Sequence, residues 1–218
     1  AASSQAIAHS SLVDYIFHET SIVAGPADIE VQVELTFYQV CALLERRRMD
    51  LNHDGTITRT ELKSYLARIT RTLEDGLRLT VDGRCVNLIP LYDPEIELNG
   101  DNGISPSCYI LRLVCFARTP SWLQPGSEIV VEDSLWASTP AVCSADAGGR
   151  DGVRILADPS IEPSIAPDGT AQAQRLHARC ISVPAAHAQS ANALPTAQAP
   201  VPTRMSTRRT VLPSICIL

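Results

Sequence analysis

Residues 28 to 37 read Asp28-Ile29-Glu30-Val31-Gln32-Val33-Glu34-Leu35-Thr36-Phe37. Ile29, Val31, Val33 and Leu35 alternate with polar neighbours. Successive side chains of a strand point to opposite faces, so this run predicts a strand with one buried side. Upstream, residues 12 to 23 are rich in β-branched and aromatic residues, and Gly25-Pro26-Ala27-Asp28 separates the two runs as the turn of a hairpin. After residue 37 the period changes. Phe37, Val40, Leu43 and Leu44 follow helical spacing, which predicts a short amphipathic helix over 38–49 with that stripe inward. Leu62, Tyr65, Leu66, Ile69 and Leu73 predict a second, longer helix, ended by Gly76 as a left-handed cap.

Between the two helical stripes lies Asp50-Leu51-Asn52-His53-Asp54-Gly55-Thr56-Ile57-Thr58-Arg59-Thr60-Glu61. This is the twelve-residue pattern of an EF-hand calcium loop, with oxygen ligands at positions 1, 3 and 5, glycine at 6, an aliphatic at 8 and glutamate at 12. Ca²⁺ is a hard cation that takes six to eight oxygens at about 2.3–2.6 Å. The expected ligands are the side chains of Asp50, Asn52 and Asp54, the Thr56 carbonyl, the Thr58 hydroxyl or a water it holds, and both carboxylate oxygens of Glu61. Gly55 permits the bend, and Ile57 anchors the loop to an apolar surface. Calcium is favoured over magnesium because a terminal glutamate can reach with two oxygens, whereas Mg²⁺ demands a tighter octahedron. The plain alternative is an ion-free Asp/Asn/Gly turn between helices. It leaves Glu61 at the twelfth position unexplained.

The flanks moderate the expected affinity. Arg46, Arg47 and Arg48 precede the first ligand, and their positive field opposes a divalent cation, though salt screens it. Asn52 is neutral, and no second loop of this quality occurs in the chain. A lone hand suits a site filled at high extracellular calcium.

The net charge of −6 over 218 residues conceals an asymmetry. From residue 161 onward five arginines face only Glu162 and Asp168, a local +3, so residues 1 to 160 carry −9. That acidity argues against a nucleic-acid surface. The opening Ala-Ala-Ser-Ser-Gln-Ala-Ile-Ala-His resembles the remnant of a signal-peptide cleavage region, so a secreted or periplasmic location is expected. No run approaches the roughly 20 apolar residues of a membrane span. Seven cysteines show no zinc-like spacing. Cys41 reads as a small core residue, and Cys85 could bridge to Cys108 or Cys115.

Alternation returns after the helical pair. Leu77, Leu79 and Val81 lead into the tight turn Asp82-Gly83, with Val86 and Leu88 on the partner strand. Ile96 and Leu98 run into the polar turn Asn99-Gly100-Asp101-Asn102-Gly103. Tyr109 to Ala117 is the longest apolar stretch, a central strand, and Glu128–Val131 and Val153–Leu156 add short strands. Seven or eight strands at this spacing predict a mainly β fold, an antiparallel β-sandwich over 1–160 with the helix-loop-helix inserted at about 38–75. Residues 161 to 218 contain seven prolines and eleven alanines. This Pro/Ala-rich segment is expected to be mostly disordered.

Several of these stretches together resemble a bacterial family of exported domains with an embedded EF-hand. The matching pieces are His9 to Tyr15, Arg46-Arg47-Arg48-Met49 before the loop, Glu61 to Leu66, and Leu77 to Gly83. The likeness covers roughly the first 155 residues. It implies a module similar to the extracytoplasmic N-terminal part of membrane proteins, some of them resembling nickel/cobalt exporters. A metal transporter or another envelope protein is then an expected partner. The sequence departs from that pattern in having no membrane helices after the module.

Other constellations carry less. Asp93, Glu95 and Glu97 line one face of a strand and read as a solvated surface. His9 and His18, nine apart, give no ligand geometry. Trp122 and Trp136 are expected to cap the core. No nucleophile elbow, H-E-x-x-H, Walker or dinucleotide pattern occurs, so no enzymatic activity is expected. The functional expectation is a non-enzymatic exported protein stabilised by Ca²⁺. The alternative is an ectodomain-like partner of a metal transporter.

Overall fold

A computed structural model describes residues 15–165 and 171–184. The predicted hairpin forms β1 (Ile16–Ala24) and β2 (Asp28–Phe37), antiparallel with Ile16 opposite Phe37 and Ala24 opposite Ile29. Ile29, Val31, Val33, Leu35 and Phe37 all point inward and are buried. The chain then enters α1 (Gln39–Met49), crosses the loop, and continues as α2 (Arg59–Gly76). There follow β3 (Leu77–Val81), β4 (Arg84–Val86), β5 (Ile89–Pro90), β6 (Glu95–Glu97) and β7 (Tyr109–Arg118). The described chain closes with β8 (Glu128–Asp133), β9 (Ala141–Gly149), β10 (Arg154–Ile165) and β11 (Ala171–Ser182).

The molecule is mainly β, in two sheets. One has the order β5-β7-β2-β1-β9, with β6 also on β7; the other runs β10-β11-β8-β3-β4. The inward residues of both sheets join one hydrophobic cluster, to which α1 contributes Cys41, Ala42 and Met49 and α2 contributes Tyr65 and Leu73. At the end of β2 nearest α1, the Phe37 ring stacks on Tyr109 with centroids 4.5 Å apart and meets Trp136 edge-on at 5.1 Å. Such pairs contribute about 0.5–1.5 kcal/mol beyond their buried area, and here they pin the start of the helical excursion.

Five expectations need correction. The sheets are not wholly antiparallel, because β9 runs parallel to β1 along its whole length. Its Ala, Ser and Gly residues have little intrinsic strand preference, which hid it from a propensity reading. The β domain does not stop at residue 160: β10 continues to Ile165, and β11 pairs with β8, Gln174 opposite Asp133 through Arg179 opposite Glu128. Leu176, Ala178 and Cys180 alternate inward there, and the small residues make the pattern faint. Residues 185–218 lie outside the described residues.

Gly76 is no left-handed cap. It lies within α2, and a Cβ there would collide with the Leu135 side chain, so the glycine serves a close approach. Trp122 is 39 % exposed and stacks with Arg84, so only Trp136 packs on the core. Cys85, Cys108 and Cys115 carry free thiols, Cys85 being on the second sheet and Cys115 on the first, so the suggested bridges are not formed.

Candidate metal centre

α1 presents a different face inward from the one its apolar residues predict. Leu44 is half exposed, while Glu45 and Arg46 are buried beside Ala42 and Met49. The cause is what lies opposite: a carbonyl-rich turn and a tyrosine hydroxyl, which polar side chains satisfy and hydrocarbons cannot. Glu45 accepts the Tyr65 hydroxyl at 2.6 Å and the Trp136 indole N–H at 3.4 Å, and pairs with Arg48. This ties α1 to α2. Burial, together with the Glu45 charge, raises the Tyr65 pKa well above the ordinary phenol value.

The loop begins at Asp50, which is only 4 % exposed. Its Oδ2 accepts the Gly55 N–H at 3.0 Å, closing the bend. Its Oδ1 is buried and has no hydrogen-bond partner. A buried carboxylate oxygen without a donor is unfavourable by about 1–3 kcal/mol, and a cation at that point would remove the cost. Asn52 and Asp54 stand together at the exposed rim. The Asn52 amide donates to Asp54 Oδ2 at 2.9 Å, the Asp54 N–H to Asn52 Oδ1 at 2.9 Å, and the Thr56 N–H to Asp54 Oδ1 at 2.8 Å. Each of these oxygens has one donor and keeps a further lone pair.

Gly55 has φ +86°, in the left-handed region, and a Cβ there would meet nothing within 4 Å. The backbone angle, not crowding, calls for glycine. Ile57 is buried at 2 %, anchoring the loop as its position predicts. Its N–H donates to the Asn102 carbonyl at 2.7 Å, and the Ile104 N–H donates to the Gly55 carbonyl at 3.3 Å. Thr56 and Gly103 thereby form an antiparallel bridge. Because Gly55 and Ile57 make the ladder bonds, the Thr56 carbonyl faces away from residues 102–104.

Glu61 and Thr58 behave differently from the expectation. Thr58 caps α2: its hydroxyl accepts the Glu61 N–H at 3.3 Å and donates to Glu61 Oε2 at 2.7 Å. Oε2 also accepts the Thr58 N–H at 2.9 Å, while Oε1 accepts the N–H groups of Leu51 at 3.0 Å and Asn52 at 3.1 Å. All four lone-pair directions of the carboxylate are therefore used, and Glu61 latches the two ends of the loop to each other. These bonds, those of Thr58 first, hold its pKa down to about 2. Among the described residues no three His, Cys, Asp or Glu side chains are grouped as a metal cage. The donor set suits a hard cation at Asp50, Asn52, Asp54 and the Thr56 carbonyl. At Glu61 it does so only if the carboxylate exchanges N–H donors for the ion.

Sequence reasoning misread Arg46. It is fully buried and does not face the carboxylates of the 50–61 loop as a free charge. Its guanidinium donates to the carbonyls of Leu98, Asp101, Gly103 and Ser107 at 2.5 to 3.1 Å. That loop is also tied internally. Asp101 accepts the Gly103 N–H at 2.9 Å and the Ser105 hydroxyl, bonds that hold its pKa at about 2, the Ser105 contribution being the largest. The signal that could have singled out Arg46 is helical phase: it falls four after Ala42 and three before Met49, whereas Arg47 and Arg48 fall outside that row.

The remaining candidates behave as surface or core. Glu97 pairs with Arg112 at 2.8 Å, and Glu95 is exposed. His18 is buried against Asp133 at 3.3 Å, and His9 lies outside the described residues. No helix among the described residues is long and apolar enough to cross a membrane. Compared with known proteins, the chain matches no protein-family model and no curated protein.

Proposed function

We propose that this chain is a calcium-binding, non-enzymatic, exported protein. In this reading the two sheets form a β-sandwich, the helical insertion is a single EF-hand, and Ca²⁺ in the 50–61 loop stabilises the fold. The observation that carries the reading is the buried, unpartnered Oδ1 of Asp50 at the head of a loop bent back by Gly55. Asp50, Asn52 and Asp54 would hold the ion by side-chain oxygens and Thr56 by its carbonyl. Glu61 would join by releasing N–H donors of Leu51 and Asn52, and Thr58 remains the helix cap. When bound, the ion supplies two positive charges that offset the mutual repulsion of Asp50, Asp54 and Glu61. A lone hand with one neutral ligand suits the millimolar calcium found outside cells, which fits an exported protein.

The test is thermal unfolding in millimolar calcium and in chelator. At a hundredfold excess over Kd, occupancy adds about 2.7 kcal/mol, so the melting temperature rises with calcium. Glu61→Ala lowers stability in chelator and abolishes the calcium-dependent rise. An unchanged melting temperature in wild type at millimolar calcium would overturn the reading and leave the loop an ion-free turn.

A further inference from the structure

We infer that Arg46 is a positioning residue for the cation loop, fixing the 98–107 loop as the permanent second half of a single-ion hand. This inference rests on the calcium reading above. The Gly55 C=O and the Ile57 N–H at the edge of the 50–61 loop take their partners from a neighbouring segment, since a buried backbone group without one is costly. Here the neighbour comes from the same chain: Asn102 and Ile104 take up the ladder bonds of Ile57 and Gly55. The 98–107 loop bends through left-handed Asn99 and Gly100, and its own ties run only from Asp101 and Ser105 to near neighbours, so they do not fasten it to α1.

Arg46 supplies that fastening. Its planar fork reaches four carbonyls of the 98–107 loop at once, from a helix that ends three residues later at Met49, immediately before Asp50. The helix that sets the position of the first ligand is thus fastened to the loop that aligns the Thr56 carbonyl. Groups beyond the ligands that orient them govern metal affinity by about 10- to 100-fold in well-studied sites. Because the pairing edge is already used, the site takes one ion per chain with no cooperativity and no second copy.

A charge-only view makes the opposite claim, that the basic run weakens cation binding. Arg46→Lys separates the two, because it keeps the charge and loses the fork. Calcium titration of the full chain should show Kd raised about tenfold by Arg46→Lys. Neutral Ser105→Ala, which loosens the Asp101 tether without touching Arg46, should give a smaller rise of the same sign. Should Arg46→Lys not fold, Ser105→Ala carries the titration alone. In wild type, calcium should slow amide exchange at Ile104, 43 residues downstream of the last predicted ligand. Wild type that binds no calcium sinks the functional reading itself. Wild type that binds while the folded variants bind equally well or more tightly, or whose Ile104 amide ignores the ion, overturns the role of Arg46 alone.

Discussion

The loops 50–61 and 98–107 lie side by side, joined by the Thr56–Gly103 bridge, and solve the same problem in two ways. Each packs backbone carbonyls and carboxylate into a tight bend, with Asp101 in one and Asp50, Asp54 and Glu61 in the other. In the 98–107 loop the carbonyls converge on a built-in cation, the Arg46 guanidinium, and Asp101 is satisfied by Gly103 and Ser105. Among the described residues no side-chain cation arrives at the 50–61 loop, and Asp50 Oδ1 is left without a donor. One bend has a covalently attached positive charge; in the calcium reading, the other would present its oxygens to a mobile one. Stability of the first should therefore be indifferent to added cation, and that of the second should not.

The largest effect should come from removing the built-in cation. Arg46→Met removes a donor from four inward carbonyls, Leu98 keeping the Asp101 N–H at 3.2 Å, while adding hydrocarbon where polar atoms converge. Chemical denaturation should show a loss of about 3–5 kcal/mol in chelator, and about 1.4 kcal/mol more in saturating calcium if Kd rises tenfold as well. A loss below about 1 kcal/mol would mean that the carbonyls find other donors, and the contrast between the loops would vanish.

Paired carboxamide substitutions sharpen the contrast. Asp50→Asn removes the charge on an oxygen that has no donor, so in chelator the variant should equal or exceed wild type by about 1 kcal/mol. In calcium it should lose the ion-dependent gain. Asp101→Asn should be destabilised in both conditions, because its two acceptor bonds are already made by the protein. If Asp50→Asn is destabilised in chelator as Asp101→Asn is, the unpartnered oxygen is not a standing cost and the two loops are equivalent.

How much of this was visible in the residues divides along physical lines. Alternation exposed β2 and β7, whose inward residues are large and aliphatic, and the fixed spacing of Asp50, Asn52, Asp54 and Gly55 exposed the bend. Those signals are local: each depends on neighbours within a dozen positions. β9 was hidden because alanine, serine and glycine fill most of it, and β11 because alanine, glutamine and arginine surround its few large apolar residues; partner strands far along the chain decide the state of both. Arg46 was hidden for the same reason. Three consecutive arginines look alike until a loop 52 to 61 residues away selects one of them. Glu61 shows a different failure, since spacing identifies a carboxylate's position but not the donors that reach it first.

The smallest of these effects is the response to acid, and it tests the latch at Glu61. Hydrogen bonds from Thr58, Asn52 and Leu51 stabilise the ionised carboxylate, holding its pKa near 2 against an ordinary 4.5. The unfolded chain therefore binds the proton more readily than the folded one. Glu61 contributes its full stabilisation above about pH 4.5 and loses it as pH falls toward 2. Asp101, depressed from 3.8 to about 2 chiefly by the Ser105 hydroxyl, loses its contribution over the lower part of the same window. Melting temperature followed from pH 6 downward in chelator should fall across this range. Glu61→Gln should flatten the decline from its upper end, and Asp101→Asn only nearer its lower end. With calcium present, the decline in wild type should steepen, because protons and the ion then compete for the same carboxylate oxygens. A decline that keeps its shape in Glu61→Gln would show that the latch does not hold in solution, freeing Glu61 to face a cation without first surrendering the N–H groups of Leu51 and Asn52.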